Sequence, residues 1–342
     1  MDLKTLQKYY EEGWLIKQTH PTLPLTIWNY SQTTQYEGKW DEITLQCRGL
    51  VTDDMGNICA RPFKKFFNME EGKHTPTEEF DVYEKMDGSL IIVFWYDGGW
   101  VVASRGSFIS DQAIGASKIF FEELDHNFSI GITYLFEFTA PWNRIVVDYG
   151  EKPNLTLLGA IRTDDETEAT WEQLKMIGDG ANCDVVKKYN GISDYSTLKG
   201  MIKDNAEGFV IRFSNGDRMK IKGVEYLRLH KIMTEVSTKS VWEILSNGGS
   251  MEDLLKDVPD EFYTKIKEYE NELVSQFNIL KREYEYIFMT FQSLGLRDDG
   301  RRKEFAEQAL KVKHPSILFA MLDGRDVEPI IWKIIQPEFK KL

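Results

Sequence analysis

Lys85 is the residue in this sequence best placed to do chemistry. It stands in Tyr83-Glu84-Lys85-Met86-Asp87-Gly88-Ser89-Leu90, between the lead-in Asp81-Val82-Tyr83 and the apolar run Leu90–Tyr96. The β-branched and aromatic content of that run is that of a buried strand. The Asp87-Gly88 pair predicts a tight turn, with glycine accepting the positive φ of a sharp reversal. Lysine is a nucleophile only as the neutral amine, so Lys85 is expected at a strand end facing a desolvated, cation-rich pocket. Removing its proton at pH 7 costs roughly 4.6 kcal/mol from the reference value near 10.4. Neighbouring cations lower that cost and unshielded carboxylates raise it. The plainer alternative is a hairpin with a solvated lysine.

Other charged residues stand where such a nucleophile would need them. Ser104-Arg105-Gly106-Ser107 follows the next apolar run, and Arg105 could offer its guanidinium to a sugar or phosphate. Glu137 lies inside Tyr134-Leu135-Phe136-Glu137-Phe138, where a carboxylate is costly unless it has a partner or ligand. The solvated face of an edge strand is its alternative. Glu207-Gly208 precedes the strand-like Phe209–Phe213, and Arg218-Met219-Lys220-Ile221-Lys222 follows. In a strand Lys220 and Lys222 share one face, Met219 and Ile221 the other. Two such lysines repel unless an anion lies between them, and a triphosphate is such an anion; a solvated face is again the alternative. Asp87, Glu137 and Glu207 make most sense as an outer cage for a hydrated metal ion. In-line substitution at the α-phosphorus of a nucleoside triphosphate needs this combination of nucleophile, cations and metal.

The elements that must position these groups form two regions. Up to about residue 235, short apolar runs bounded by turns alternate with helix-like stretches. The runs include Ile91–Tyr96, Trp100–Ala103, Thr133–Thr139 and Leu155–Ile161; the helical stretches are Asp111–Leu124 and Thr170–Ile177. Asp97-Gly98-Gly99 predicts a hairpin. The pattern is α+β, with an antiparallel-rich sheet and helices packed on it. From 236 to 342 the character is all-helical: Glu261–Phe291 carries a long amphipathic stripe, and Lys303–Val312 predicts a further helix.

Composition bounds the function without naming it. Hydrophobic content of 42% and charged content of 28% over 342 residues describe a globular chain with room for two domains. Net charge is −13, with 26 basic and 36 acidic residues before 236 and 16 and 19 after it. A nucleic-acid substrate must then be held by local cations, not by bulk charge. Cys47, Cys59 and Cys183 are isolated, as expected of reduced thiols in a cytoplasmic protein. His20, His74, His126, His230 and His314 show no metal-ligand spacing. No apolar run reaches bilayer-spanning length, and no secretory signal opens the chain.

The ordered set Lys85-x-Asp87-Gly88, Ser104-Arg105-Gly106, Phe136-Glu137, Glu207-Gly208 and Lys220-x-Lys222 resembles the covalent nucleotidyltransferases, which include polynucleotide ligases and mRNA capping enzymes. Within them it is most similar to the T-even phage type of single-strand RNA ligase, RNA ligase 1. Arg48-Gly49, Arg61-Pro62-Phe63-Lys64-Lys65-Phe66-Phe67-Asn68 and Pro141-Trp142-Asn143-Arg144-Ile145-Val146 carry that narrower likeness, which is specific over about 45–225.

The resemblance implies a ligase-type nucleotidyltransferase domain over 1–235 and a helical domain over 236–342. It implies ATP as co-substrate, Mg2+ (or Mn2+) as metal, and Lys85 as the residue that becomes adenylated. Arg48, Lys65, Phe67, Glu84, Gly88, Arg105, Glu137, Glu207, Lys220 and Lys222 match positions that handle nucleotide or phosphate, and Asp87, Glu137 and Glu207 those near metal, through water. It further implies single-stranded RNA ends as substrates, nicked tRNA among them, and a monomer in the cytoplasm of a phage-infected host. The chain lacks a G-x-x-x-x-G-K-[ST] loop, so a separate kinase/phosphatase would heal the ends. DNA ligases and capping enzymes normally follow this domain with an OB barrel, which the helical remainder does not predict. A relative that binds RNA without catalysis is the remaining alternative. Arg297-Asp298-Asp299-Gly300-Arg301-Arg302-Lys303 is expected to be a solvated loop.

Overall fold

The computed structural model describes residues 2–71, 78–234, 237–255, 260–296 and 300–338; His74 and Arg297-Asp298-Asp299 lie outside them. The chain divides into two compact units, Met1–Met233 and Thr234–Leu342.

Three sheets build the first unit. β1 (Leu15–Thr19), β2 (Leu25–Tyr30), β3 (Arg48–Asp53) and β4 (Ile58–Ala60) pair in that order, all antiparallel. After β5 (Phe67–Asn68) and β6 (Phe80–Lys85), the chain runs through β7 (Ser89–Tyr96), β8 (Gly99–Ser104), β9 (Ile132–Thr139), β10 (Asn154–Arg162) and β11 (Asp184–Val185). These last five form a second sheet in the order β11-β10-β9-β7-β8. With β12 (Lys188–Tyr189), β13 (Gly208–Phe213) and β14 (Arg218–Lys222), a third sheet runs β12-β6-β13-β14-β5.

The second sheet is buried on both faces, which is why its strands read as continuous apolar runs. Ile91, Val93, Phe136 and Phe138 pack with Ala116, Ile119 and Phe120 of the helix Asp111–Glu122 and Leu174 of the helix Trp171–Ala181. The alternate residues Ile92, Phe94, Ala103 and Leu135 pack with Ile27, Val51 and Ala60 of the first sheet. Each fully buried side chain of this size contributes roughly 1.5–3 kcal/mol. The predicted Asp97-Gly98 hairpin is present, with φ of 45° and 85° at the two turn residues. The first sheet leaves little mark in the sequence, since β1 is Leu-Ile-Lys-Gln-Thr with only Leu15 buried.

The turn expected at Asp87-Gly88 is not a reversal within one sheet. β6 pairs with β12 and β13, whereas β7 pairs with β8 and β9, so the link crosses between sheets. Gly88 is not among the glycines with positive φ. It is needed for space instead: an added Cβ would overlap Phe138 O and lie 3.2 Å from Glu137 Cγ.

In the second unit the stripe predicted over Glu261–Phe291 is the helix Asp260–Ser293. Its Phe277 and Tyr284 pack on Phe305, Ile317, Leu318 and Ile331 from the helices Arg302–Ala309, Pro315–Leu322 and Glu328–Ile334. Val274 of this helix is exposed. No β-strand occurs among the described residues of this unit.

Candidate active site

Lys85 is the last residue of β6, opposite Gly208 of β13, which in turn lies opposite Lys222 of β14. Gly208 is what lets the two lysines flank one point. Its φ is +151°, and an added Cβ would overlap Ile221 O. Glu207, just before it, is buried and reaches both amines: Lys85 Nζ donates to Oε2 at 2.7 Å, and Lys222 Nζ lies 3.2 Å from Oε1. Burial alone would raise the Glu207 carboxyl, but Lys85 and Lys222 outweigh it and hold it below the ordinary carboxylate value. Lys220, also buried, adds to the same effect. Of the two lysines of β14, Lys222 thus meets a carboxylate of the protein itself, and Lys220 lies within reach of its charge.

Glu137 lies on β9, between β7 and β10, so it is not on an edge strand. Its Oε1 accepts the Gly88 N–H at 3.0 Å. Burial pushes its carboxyl up to about 7, with the charge of Glu207 adding to the rise and Lys85 and Arg48 opposing it. Two carboxylates beside one lysine are thus pushed in opposite directions, Glu207 down by the cations around it and Glu137 up by its burial. Between the ordinary 4.5 and about 7 the folded protein holds a proton that the unfolded chain releases. That contribution to stability is lost as pH rises through the window. Glu137→Gln, which fixes the neutral form, should flatten the dependence of Tm on pH between about 5 and 7 relative to the parent. Parallel Tm profiles for the two proteins would contradict this.

Asp87 departs from its expected place in a metal cage. Its Oδ2 accepts the N–H groups of Val146 (2.8 Å) and Val147 (2.9 Å), and its Oδ1 accepts the Tyr226 hydroxyl at 2.9 Å. Its own N–H donates to the Tyr149 hydroxyl at 2.8 Å. With both oxygens turned into the protein, Asp87 ties the link after Lys85 to the segment after β9. Glu84 differs as well. Neighbours on a strand face opposite ways, so Glu84 shares the face of Val82, in the apolar core, and not that of Lys85. Its N–H is taken by Lys187 O at 2.9 Å. No motif marked Tyr149 or Tyr226, because a lone tyrosine in a polar segment carries no spacing signal.

Aromatic rings gather the remaining candidates. Lys65, buried, places Nζ 5.4, 5.2 and 5.3 Å from the ring centres of Tyr30, Trp40 and Phe67. Phe67 meets Trp40 edge-on at 5.3 Å, so at least one ring edge is spent on packing. Arg105 lies 5.8 Å from the Tyr30 ring, and Arg48 5.6 Å from that of Phe66. Arg48 is opposite Asn29 on β2, whose Nδ2 donates to Arg105 O at 2.8 Å. Its charge also acts on Glu137, which ties this group to Lys85.

Known proteins resemble this chain in sequence and in fold. A family profile described as RNA ligase matches residues 46–273. An RNA ligase of Rhodothermus phage RM378 is 24% identical over 374 residues, covering 84% of this chain and 83% of the phage protein. A protein of Autographa californica nuclear polyhedrosis virus, named as a bifunctional polynucleotide kinase/RNA ligase, is 27% identical over 251 residues. That match takes in 64% of this chain but only 35% of the viral protein, about a third of its length. A solved structure named as an ATP-dependent DNA ligase from Aquifex aeolicus shares the fold, with a TM-score of 0.51, 14% identity, and 95% and 99% of the two chains covered. With two thirds of its length inside the family profile and Lys85, Glu137, Glu207 and Lys222 joined in one site, the chain belongs to the T4-type RNA ligase 1 family.

Proposed function

We propose that this protein joins a 5′-phosphate to a 3′-hydroxyl on RNA at the expense of ATP. The observation that carries the reading is Lys85 Nζ at 2.7 Å from a buried Glu207, whose other oxygen faces Lys222. In the first step the Lys85 amine attacks the α-phosphorus of ATP: an N–P bond forms, the bond to pyrophosphate breaks, and the amine loses a proton. The AMP then passes to a 5′-phosphate oxygen, giving a pyrophosphate linkage and restoring Lys85. Finally a 3′-hydroxyl attacks that phosphate, AMP leaves, and the phosphodiester is complete.

Lys220 and Lys222 neutralise phosphate charge, and Glu207 keeps Lys222 and Lys85 at one point. Arg48, Arg105 and the Lys65–Phe67 group hold the nucleotide, while Asp87 positions the loop after Lys85. Among the described residues no group of three or more His, Cys, Asp or Glu could hold a metal. With Glu207 Oε2 and Oε1 already facing Lys85 and Lys222, Glu137 and Glu207 would meet a cation only through its waters, with substrate phosphates sharing its shell, the usual habit of Mg2+. When bound, that ion supplies charge neutralisation at the phosphate.

Substrates in this reading are single-stranded ends, nicked tRNA among them, prepared by a separate kinase/phosphatase. The protein would act as a monomer in the cytoplasm of a phage-infected host. No helix among the described residues is long and apolar enough to cross a membrane. Incubation with α-labelled ATP or GTP tests the chemistry. Covalent label from ATP alone is expected; label from GTP would favour a capping enzyme, and none from either would contradict the proposal. Sealing rates on nicked tRNA, linear single strands and nicked duplexes would then rank the substrates.

A further inference from the structure

The sheet that ends in Lys85 has one apolar face, where Val82, Phe209, Ile211, Met219 and Ile221 pack in a single core. Alternation then puts Arg218, Lys220 and Lys222 of β14 together on the other face. Same-face residues along a strand are ~6.7 Å apart, close to the separation of consecutive phosphates on an extended single strand. One end of this row is Lys222, beside Lys85 and Glu207. Arg218, at the other end, lines a cavity of about 600 Å3.

Cations outnumber carboxylates in that cavity. Arg218 grips both oxygens of Glu168, Nη1 to Oε1 at 2.8 Å and Nη2 to Oε2. Arg212, directly across from Arg218 in the ladder, has Nε 3.2 Å from the same Oε2. Hydrogen-bond geometry is lacking there, so that buried N–H has no partner. Like charges opposite each other in a sheet repel, and one carboxylate serves both. Glu166 is shared in the same way, by Arg61 at 3.0 Å and Lys64 at 2.8 Å. Asp217 also lines the cavity, as do Lys65 and Phe67 where it meets the nucleotide-holding group, so five cations against three carboxylates leave an excess of two positive charges in a chain of net charge −13. Asp81, on the same sheet face, is neutralised by Lys188 at 2.8 Å. Phe66 supplies flat apolar surface, and the Arg218 guanidinium lies 4.2 Å from the ring centre of the buried Phe63. Guanidinium groups beside aromatic rings are how proteins hold single-stranded nucleic acid, phosphates on the first and bases on the second.

We infer that this cavity holds a backbone segment of the single-stranded RNA substrate and that the Arg218–Lys220–Lys222 row leads the strand to Lys85. The inference rests on the RNA ligase reading and adds to it the path of the RNA. The test uses the full chain and two variants, Lys64→Glu and Glu166→Gln; both side chains are exposed, at 59% and 40%. The probe is a fluorescent, 5′-phosphorylated single-stranded oligoribonucleotide, its binding followed by anisotropy across a salt series without ATP. Lys64→Glu should weaken binding about five- to tenfold and lower the salt slope, and Glu166→Gln should tighten it about two- to fivefold. The ATP concentration that half-saturates self-adenylation should stay unchanged in both. Unaltered RNA affinity in both variants would overturn the inference. So would a rise in the ATP requirement matching the loss of RNA affinity, because the cavity would then serve the nucleotide. If the parent takes no label from ATP, the ligase reading fails alone, since the anisotropy measurement involves no chemistry.

Discussion

Lys85→Ala should abolish transfer of AMP from ATP to the protein, by at least about a thousandfold, as expected when a nucleophile is removed. Lys85→Arg should fail equally, because a guanidinium stays protonated and cannot attack. Only the loading step needs the amine as nucleophile, so Lys85→Ala should still seal an RNA donor that is already adenylated. The ion pair with Glu207 at 2.7 Å makes the alanine variant more informative than a simple knockout. It leaves Glu207 paired with Lys222, so the phosphate-handling side of the site survives. Labelling of Lys85→Ala at the parental rate would contradict the assignment of the nucleophile.

Glu207→Ala has the second largest expected effect, and its direction separates two roles. Were Glu207 there only to hold Lys85 in its charged form, removing it would free the amine and speed loading. If instead it gathers Lys85, Lys222 and a hydrated cation around one phosphate, both loading and sealing should fall, each by about a hundredfold or more. The second outcome is expected. Removing the buried carboxylate also leaves Lys85 and Lys222 facing each other, a loss of roughly 3–5 kcal/mol for a broken buried pair. Part of that is regained because the Lys85 side chain is 20% exposed and water can reach it. Glu207→Gln keeps the shape and separates charge from packing. Faster loading by either variant, or normal sealing of an adenylated donor by Glu207→Ala, would remove Glu207 from the catalytic group.

Much of this site was legible because its chemistry is unusual for the places its residues occupy. Lysines at alternate positions of an apolar strand, and a glutamate inside Leu135-Phe136-Glu137-Phe138, are costly without a purpose, and cost is visible in a sequence. The strands of the second sheet were legible because burial on both faces makes them uninterrupted apolar runs. What escaped depends on contacts between distant segments. Asp87 looked like a metal-cage acid, yet its carboxylate is held by N–H groups at Val146 and Val147, which no local pattern connects to it. The reason for Gly88 was misplaced for the same cause. Lack of space beside Phe138 of β9, the strand that pairs with β7, and not a positive φ, excludes a side chain there. Likewise, that Lys220 and Lys222 need an anion followed from alternation, but Glu207 as the anion beside Lys222 required the register that sets Gly208 between Lys85 and Lys222.

Locating the adenylyl group on the protein tests whether Lys85 carries AMP on the way to a sealed strand. The full-length protein is incubated with ATP and a divalent cation, digested at a pH that preserves phosphoramidates, and its peptides are sequenced by mass spectrometry. One peptide heavier by an adenylyl group is expected, with the added mass on Lys85, and its loss when free ATP is first removed and 5′-phosphorylated RNA is then added before digestion. An adenylyl group on Lys65, Lys220 or Lys222, or one on Lys85 that survives RNA after free ATP has been removed, would contradict this assignment.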